Sequence, residues 1–147
     1  MTTLDDFERV ARADRGLCVV TTTRADGTVQ ASVVNAGVLE HPRTHDRVVG
    51  LVAAGGSRKL ANWRRRPRAT LVAKHGWEWV AVDGAVDLLG PDDPQPGVDA
   101  EQLRLALRDI FTAAGGTHDD FDEYDAVMAR ERRTAAFVTP ARVYSNG

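Results

Sequence analysis

The chain has 147 residues, of which 43% are hydrophobic and 27% are charged, and this composition is typical of a globular protein. The length fits a single domain over residues 1–147, since domains typically contain on the order of 100–150 residues. The formal net charge of −2 gives no overall attraction to nucleic acid, and no stretch approaches the roughly 18 apolar residues that a membrane span needs.

The N-terminal segment and the single cysteine bear on location and redox chemistry. Residues 1–8 are acidic and polar and lack the basic region and apolar run of a signal peptide, so we expect a cytoplasmic protein with no membrane partner. Cys18 is the only cysteine, which excludes an internal disulfide and a metal site built from several cysteines. Its neighbours are apolar, so we expect a buried side chain rather than a nucleophile.

The first third of the chain predicts a short helix followed by three antiparallel strands. Apolar residues recur at helical spacing over 3–14, with Thr3 as N-cap. An Asp26-Gly27 turn between two β-branched runs is a strong hairpin signal. The predicted strands are Leu17–Arg24, Thr28–Leu39 and Val48–Ala53.

The middle of the chain predicts a helix and a second hairpin. The helix is capped by Ser57 and ends at Arg66, because the residue before Pro67 disfavours helical geometry. The strands that follow are Ala69–Lys74 and Trp77–Leu89. The Asp83-Gly84 pair inside the second strand predicts a bend or bulge.

The last third predicts two helices and one strand. Residues 99–114 carry one apolar face behind an Asp99 cap. Residues 119–131 begin acidic and end basic, as the helix dipole favours. The last strand is Thr134–Tyr144.

The order of these elements predicts the fold class. It has neither repeats nor regular βαβ alternation, which argues against a doubly wound nucleotide-binding sheet. Six strands, several of them long and bent, can close into a small barrel with few free edges. We therefore predict a mainly β protein, a β-barrel with flanking helices.

One segment points to chemistry. Gly55-Gly56-Ser57-Arg58-Lys59 leads from a strand into a helix, so backbone N–H groups, a hydroxyl and two cations converge where the helix dipole is positive. The spacing matches neither a P-loop nor a Rossmann fingerprint. The pattern predicts an anion site, although capped helices with basic first turns also occur without a ligand.

The sequence around this segment resembles a known family. The run GGSRKLANWRRRPRATLV is similar to the phosphate-binding helix and following strand of the pyridoxamine 5′-phosphate oxidase-like split-barrel flavoproteins. More narrowly, it resembles the actinobacterial branch of flavin/deazaflavin oxidoreductases that use coenzyme F420. The runs ADGTVQAS, WEWVAVDGAVDLL and FDEYDAVMARERRTAAFVTPARVY extend the resemblance over almost the whole chain.

The resemblance implies a split β-barrel homodimer with two cofactor sites at its interface, F420 as cofactor and FMN as the alternative. Some relatives carry Arg where this chain has Ser57, which bears on phosphate affinity and on the choice of cofactor. It implies hydride transfer by the ring to a small organic substrate, with no catalytic side chain. The implied phosphate contacts are Ser57, Arg58, Lys59 and Asn62; the implied ring contacts are backbone groups of Val34, Asn35, Ala36, Leu51, Val52 and Ala53, with Trp77 from the partner chain.

Other readings remain open at this stage. The chain could instead be an FMN protein, including a pyridoxamine phosphate oxidase relative, or a carrier that binds a flavin, haem or F420 without turnover. His41 and His45 have a metal-ligand spacing for a helix, but Pro42 removes the helix, so we predict no metal site. The arginines in 64–68 are expected on a solvated helix face without nucleic acid, and some are candidates for the acidic tail of F420.

Overall fold

A closed barrel of six antiparallel strands, with four helices packed around it, is the architecture of this protein in a computed structural model that describes residues 1–147. Around the barrel the strands follow the order β1-β2-β3-β6-β5-β4. The strands are β1 (Leu17–Thr23), β2 (Val29–Glu40), β3 (Arg47–Ala53), β4 (Arg68–His75), β5 (Glu78–Leu89) and β6 (Thr134–Ser145). The helices are α1 (Leu4–Ala13), α2 (Arg58–Arg65), α3 (Ala100–Ala113) and α4 (Phe121–Arg130).

The predicted β-barrel with flanking helices is confirmed, and so is the order of its elements. Their ends lie within two residues of the predicted ones. The ladder between β5 and β6 shifts register between Asp83 and Gly84, which confirms the irregularity predicted there. Trp77 is a correction: it lies in the turn before β5, not in the strand. None of the helices is long and apolar enough to cross a membrane.

The barrel interior is filled from the strands and from two helices. Phe7 on α1 and Leu60 and Trp63 on α2 are at most 1% exposed and join the central hydrophobic cluster. Cys18 is buried there as well, and burial raises the pKa of its thiol to about 12. The thiol therefore stays protonated at neutral pH, in agreement with the prediction of an unreactive side chain.

A second, smaller cluster lies outside the barrel, under α3. Leu107 and Ile110 of this helix pack on Val48, Leu89 and Phe137 of the barrel wall. The Asp99 cap forms as predicted: its carboxylate accepts a hydrogen bond from Gln102 N–H at 2.8 Å. The apolar contacts of Leu107 and Ile110 hold α3 against the barrel wall, where it contacts β2 and β3.

Strand β2 changes hydrogen-bonding partner halfway along its length. Residues 29–35 pair with β1, whereas 36–40 pair with β3. The last pair between β2 and β3 is Ala36 with Leu51, and beyond it β3 pairs only with β6. The two strands therefore separate after this pair and leave a split in the barrel wall.

A close approach at Gly37 brings the end of α3 over this split. A Cβ atom at Gly37 would lie 2.3 Å from the backbone carbon of Ala113 and 2.5 Å from the nitrogen of Ala114. Because these are backbone atoms at a helix end, α3 itself would have to move to accept a side chain.

We expect Gly37→Ala to destabilise the protein. Alanine normally stabilises a strand relative to glycine by roughly 0.5–1 kcal/mol, but overpacking against a backbone costs about 1–3 kcal/mol and should win here. Urea unfolding measures the sum. Ala31→Gly, on the exposed face of the same strand, is the control for the ordinary glycine effect. A Gly37→Ala midpoint equal to or above wild type would contradict the close packing.

Candidate functional site

A groove of about 530 Å³ lies at the split between β2 and β3. This volume falls within the range of about 300–1,000 Å³ typical of small-molecule sites. One side is formed by β2, the other by the end of β3 and the start of α2, and a third wall by α3 and α4. Its lining residues are Arg15, Val33, Val34, Asn35, Val52, Ala53, Ala54, Ser57, Lys59, Ile110, Phe111, Ala114, Gly115, Gly116, Tyr124, Met128 and Arg133.

The corner of the groove at the start of α2 is suited to an anion. Ser57 is the N-cap of α2, yet its hydroxyl makes no capping hydrogen bond. Ser57 Oγ is buried without any hydrogen-bond partner, which is costly unless a ligand supplies one. First-turn N–H groups of a helix lack intrahelical acceptors and carry the positive end of its dipole. Together with Lys59, these groups can bind an anion such as a phosphate.

The charges in the groove are all positive. Three cations line it, Arg15, Lys59 and Arg133, and no acidic side chain does. Arg133 is paired with Glu131 at 2.8 Å, whereas Arg15 and Lys59 take part in no ion pair. A site with this local field attracts anions although the whole chain carries a net charge of −2.

Main-chain groups along the split are free to bind a polar ring. Val33, Val34 and Asn35 pair with β1 on one edge only, and Val52 and Ala53 pair with β6 on one edge only. The opposite edges therefore carry backbone donors and acceptors without a strand partner. A planar ligand with polar edges can replace the missing strand, in the way a peptide adds to an open sheet.

The third wall is apolar and aromatic. Phe111 on α3 and Tyr124 on α4 lie with ring centroids 4.9 Å apart, and the Tyr124 hydroxyl donates a hydrogen bond to Leu107 O at 3.1 Å. Burial raises the pKa of Tyr124, so the ring stays neutral. Such a wall can pack on a ring system and exclude water from it.

An ion-pair cluster fixes α4 to α3 behind this wall. The Asp125 carboxylate accepts hydrogen bonds from Arg104 at 2.9 Å and from Arg108 Nε at 2.9 Å. The hydrogen bond from Arg108 and then that from Arg104 lower the pKa of Asp125, so the cluster stays ionised through the neutral range. The folded-state pKa lies below the unfolded value, so this contribution is lost only as acid protonates the carboxylate.

The structure brings together six of the residues predicted from the sequence. Those that line the groove are Val34, Asn35, Val52, Ala53, Ser57 and Lys59. Ala36 and Leu51 form the last strand pair before the split and are at most 1% exposed, so only their neighbours reach the groove. Arg58 is exposed and lies outside the lining, although it adjoins Lys59 in sequence.

Asn62 departs from the predicted site, whereas the predicted role of Trp77 concerns a partner chain and stays a prediction. Asn62 Nδ2 donates to Thr22 Oγ1 at 2.8 Å and to Gln30 Oε1 at 3.3 Å, so its amide is used among strand side chains and does not reach the groove. Trp77 lies in the turn between β4 and β5, where it is 95% exposed and contacts nothing in the groove of its own chain. Its predicted role therefore requires a second chain.

Sequence reasoning missed Arg15, Arg133 and the α3–α4 wall, since they come from parts of the chain distant from Lys59. No local pattern marks Arg15 or Arg133 as groove residues. The apolar face of residues 99–114 is the one signal that could have indicated the wall. The arginines of 64–68 do not line the groove. Arg64 is paired with Asp93 at 2.7 Å, and Arg66 Nε donates to Thr23 O at 2.8 Å.

His41 lies in the loop between β2 and β3, as predicted, but its side chain is buried. Its Nε2 lies 2.7 Å from Asp87 Oδ2, and its Nδ1 accepts hydrogen bonds from the N–H groups of Arg43 and Thr44. Both ring nitrogens are thus used to tie the β2–β3 loop to β5. No group of three or more His, Cys, Asp or Glu side chains is placed to hold a metal ion.

Comparison with known proteins identifies the class of fold. No protein-family model matches the chain. The conserved hypothetical protein Rv2991 from Mycobacterium tuberculosis has a TM-score of 0.70 at 15% identity, over 99% of this chain and 84% of that one. A pyridoxamine 5′-phosphate oxidase-related, FMN-binding protein from Nostoc punctiforme has a TM-score of 0.66 at 12% identity, over 99% and 86%.

An F420 reductase also has this fold, with a TM-score of 0.60 at 16% identity over 87% of this chain and 88% of that one. At such identities the similarity concerns the fold. The chain has the split-barrel fold of the pyridoxamine 5′-phosphate oxidase-like proteins, as the sequence predicts.

Proposed function

We propose that this protein binds a flavin-type cofactor in the groove, coenzyme F420 by preference and FMN as the alternative, and transfers hydride between it and a small organic acceptor. The observation that carries the proposal is the shape of the groove: a phosphate corner with an orphaned, buried Ser57 hydroxyl continues into a split lined by unpaired strand edges. A phosphorylated tricyclic ring needs both features.

Each part of the groove has a task in this proposal. Ser57, Lys59 and the first-turn N–H groups of α2 hold the phosphate. The free edges of Val34–Asn35 and Val52–Ala53 orient the ring, and Phe111 packs on it and excludes water. The bound ring supplies the hydride chemistry, so the protein needs no acid–base side chain.

The preference for F420 rests on the resemblance of GGSRKLANW to the deazaflavin branch. The FMN alternative is supported by the FMN-binding neighbour from Nostoc punctiforme, whose TM-score of 0.66 is slightly above the 0.60 of the F420 reductase. A single phosphate corner is compatible with either cofactor.

Native mass spectrometry of the purified protein with F420 and FMN in competition tests the choice. We expect F420 to be retained, with an affinity that weakens as salt is added, because the groove is cationic. Protein that retains FMN and ignores F420 would favour the alternative, and binding of neither would contradict the proposal. Turnover of the bound reduced cofactor with a panel of acceptors separates an enzyme from a carrier.

We expect Lys59→Ala to weaken cofactor binding and leave the fold intact. The substitution removes a charge-assisted hydrogen bond worth roughly 1.5–3 kcal/mol, which corresponds to about tenfold to more than a hundredfold in the dissociation constant. The free energy of unfolding should change by no more than about 0.5 kcal/mol. Titration and thermal unfolding measure both. Arg65→Ala, exposed at the other end of α2, is the control; equal dissociation constants for Lys59→Ala and wild type would contradict the phosphate corner.

A second copy of this chain completes the site in our proposal. Paired residues of five strands form an outer stripe, defined as Val33, Val19, Val72, Ala81 and Tyr144, of which all but the buried Ala81 expose side-chain surface. Val33 is 65% exposed and also lines the groove, so the stripe runs up to the site itself. The exposed Trp77 lies at one end of this face, in a hollow with Trp79 and Tyr144.

An isologous contact through this stripe would bury apolar surface that a monomer leaves in water. It would also bring a Trp77 ring from one chain to the open side of the other chain's groove. The proposed assembly is therefore a homodimer in which each subunit contributes to both sites.

We expect Val19→Asp to convert the dimer into 16.0 kDa monomers and to weaken cofactor binding at the same time. Val19 lies within the stripe, between Val33 and Val72, where a carboxylate in the dimer would be buried without a partner. Light scattering coupled to gel filtration measures the mass. Leu105→Asp, on an exposed position of α3 away from the stripe, is the control. A wild-type monomer with intact cofactor binding would contradict this proposal.

A further inference from the structure

Arg15 lies across the groove from Lys59. It lies two residues before β1, and its carbonyl accepts a hydrogen bond from the side chain of Asn35 on β2 at 2.9 Å. Lys59 belongs to the side of the groove that continues from β3. Since β2 and β3 are the two sides of the split, the two cations address different parts of a bound molecule.

The backbone at Arg15 is held in one place. Arg15 has a φ of +59°, in the left-handed region that non-glycine residues rarely adopt. The next residue, Gly16, accepts a hydrogen bond from Ala36 N–H at 2.8 Å. Gly16 also packs so closely on Ala114 that a Cβ would lie 2.3 Å from its carbonyl oxygen. Arg15 and Gly16 form the left-handed turn that ends α1, in which Gly16 N–H donates to Ala11 O at 2.8 Å, and this turn fixes the Arg15 backbone at the edge of the groove.

The charge of Arg15 has no partner in the chain. The guanidinium makes no ion pair, and no acidic side chain lines the groove. In the proposed complex the cofactor phosphate pairs with Lys59, and Arg133 is paired with Glu131. Arg15 is exposed to water at the rim of the groove. An anionic group on a molecule bound in the groove can therefore reach its guanidinium without burying an unpaired charge, and would gain a charge-assisted hydrogen bond from it.

We propose that Arg15 binds an anionic group, a carboxylate, on the acceptor substrate. The inference rests on the proposed function and narrows it to anionic acceptors. The planar guanidinium matches a carboxylate with two parallel hydrogen bonds, which lysine cannot reproduce. Arg15 is therefore a substrate-binding residue, distinct from the phosphate corner.

The test uses 2-naphthoate and its neutral counterpart 2-naphthamide as probes. Each is titrated by calorimetry into cofactor-loaded wild type, Arg15→Ala, Arg15→Lys and the control Arg12→Ala, an exposed arginine on α1 outside the groove. We expect Arg15→Ala to weaken naphthoate binding by about tenfold or more. Arg15→Lys should recover part of the loss, and naphthamide should bind all four proteins alike.

Three results would overturn the inference. Naphthoate affinity that is equal in Arg15→Ala and wild type shows that no carboxylate is bound there. A loss of cofactor affinity in Arg15→Ala as large as that in Lys59→Ala assigns Arg15 to the cofactor. A lower reduction potential of the bound cofactor in Arg15→Ala, with naphthoate binding unchanged, assigns it to the reduced ring.

Failure of the proposed function gives a different pattern, in which wild type binds neither F420 nor FMN. The same titrations are then made on the cofactor-free protein with Lys59→Ala included. Naphthoate binding that depends on Arg15 and not on Lys59 supports the anion site at Arg15, and binding independent of Arg15 overturns it.

Discussion

The change of partner along β2 is the constraint on which the rest of the site depends. A strand has two hydrogen-bonding edges, and β2 uses one for β1 over 29–35 and the other for β3 over 36–40. Each half therefore leaves one edge unpaired. On the side facing β3, the free edge is next to the start of α2, and Gly37 lets α3 close over it. Because β2 and β3 separate after the Ala36–Leu51 pair, the groove lies there, together with the corner at the start of α2 and the aromatic wall.

The distribution of ion pairs over the chain leaves unpaired positive charges in the groove. Most arginines outside it are engaged by carboxylates, among them Arg64 with Asp93 and Arg132 with Asp92. Inside it, Lys59 and Arg15 are left without counter-ions. Since exposed ion pairs contribute little to stability, the distribution of pairs matters more for the local field than for folding. A nearly neutral chain thereby concentrates positive potential in one concave site.

The elements of this fold were predictable from the sequence because their signals are local. The Asp26-Gly27 hairpin, the Asp99 cap and the glycine at the β5 irregularity each depend on residues within a few positions of each other. The position of Ser57 and Lys59 at the start of α2 was predictable for the same reason. Arg15 was not, since its place in the groove depends on the hydrogen bond from Asn35 and on the packing of the next residue, Gly16, against Ala114, both distant in sequence.

Asn62 is a case in which a local signal was not sufficient. The sequence predicted the helix that contains it, but the side chain bonds to β1 and β2 instead of reaching the groove. Its hydrogen bond to Thr22 exists only once β1 has packed against α2.

The unpaired strand edges at the split have a further consequence for how this protein changes over evolutionary time. Donors and acceptors on the main chain persist through almost any substitution that keeps the strand, so a lineage can replace nearly every side chain around the split and still keep these unpaired backbone groups.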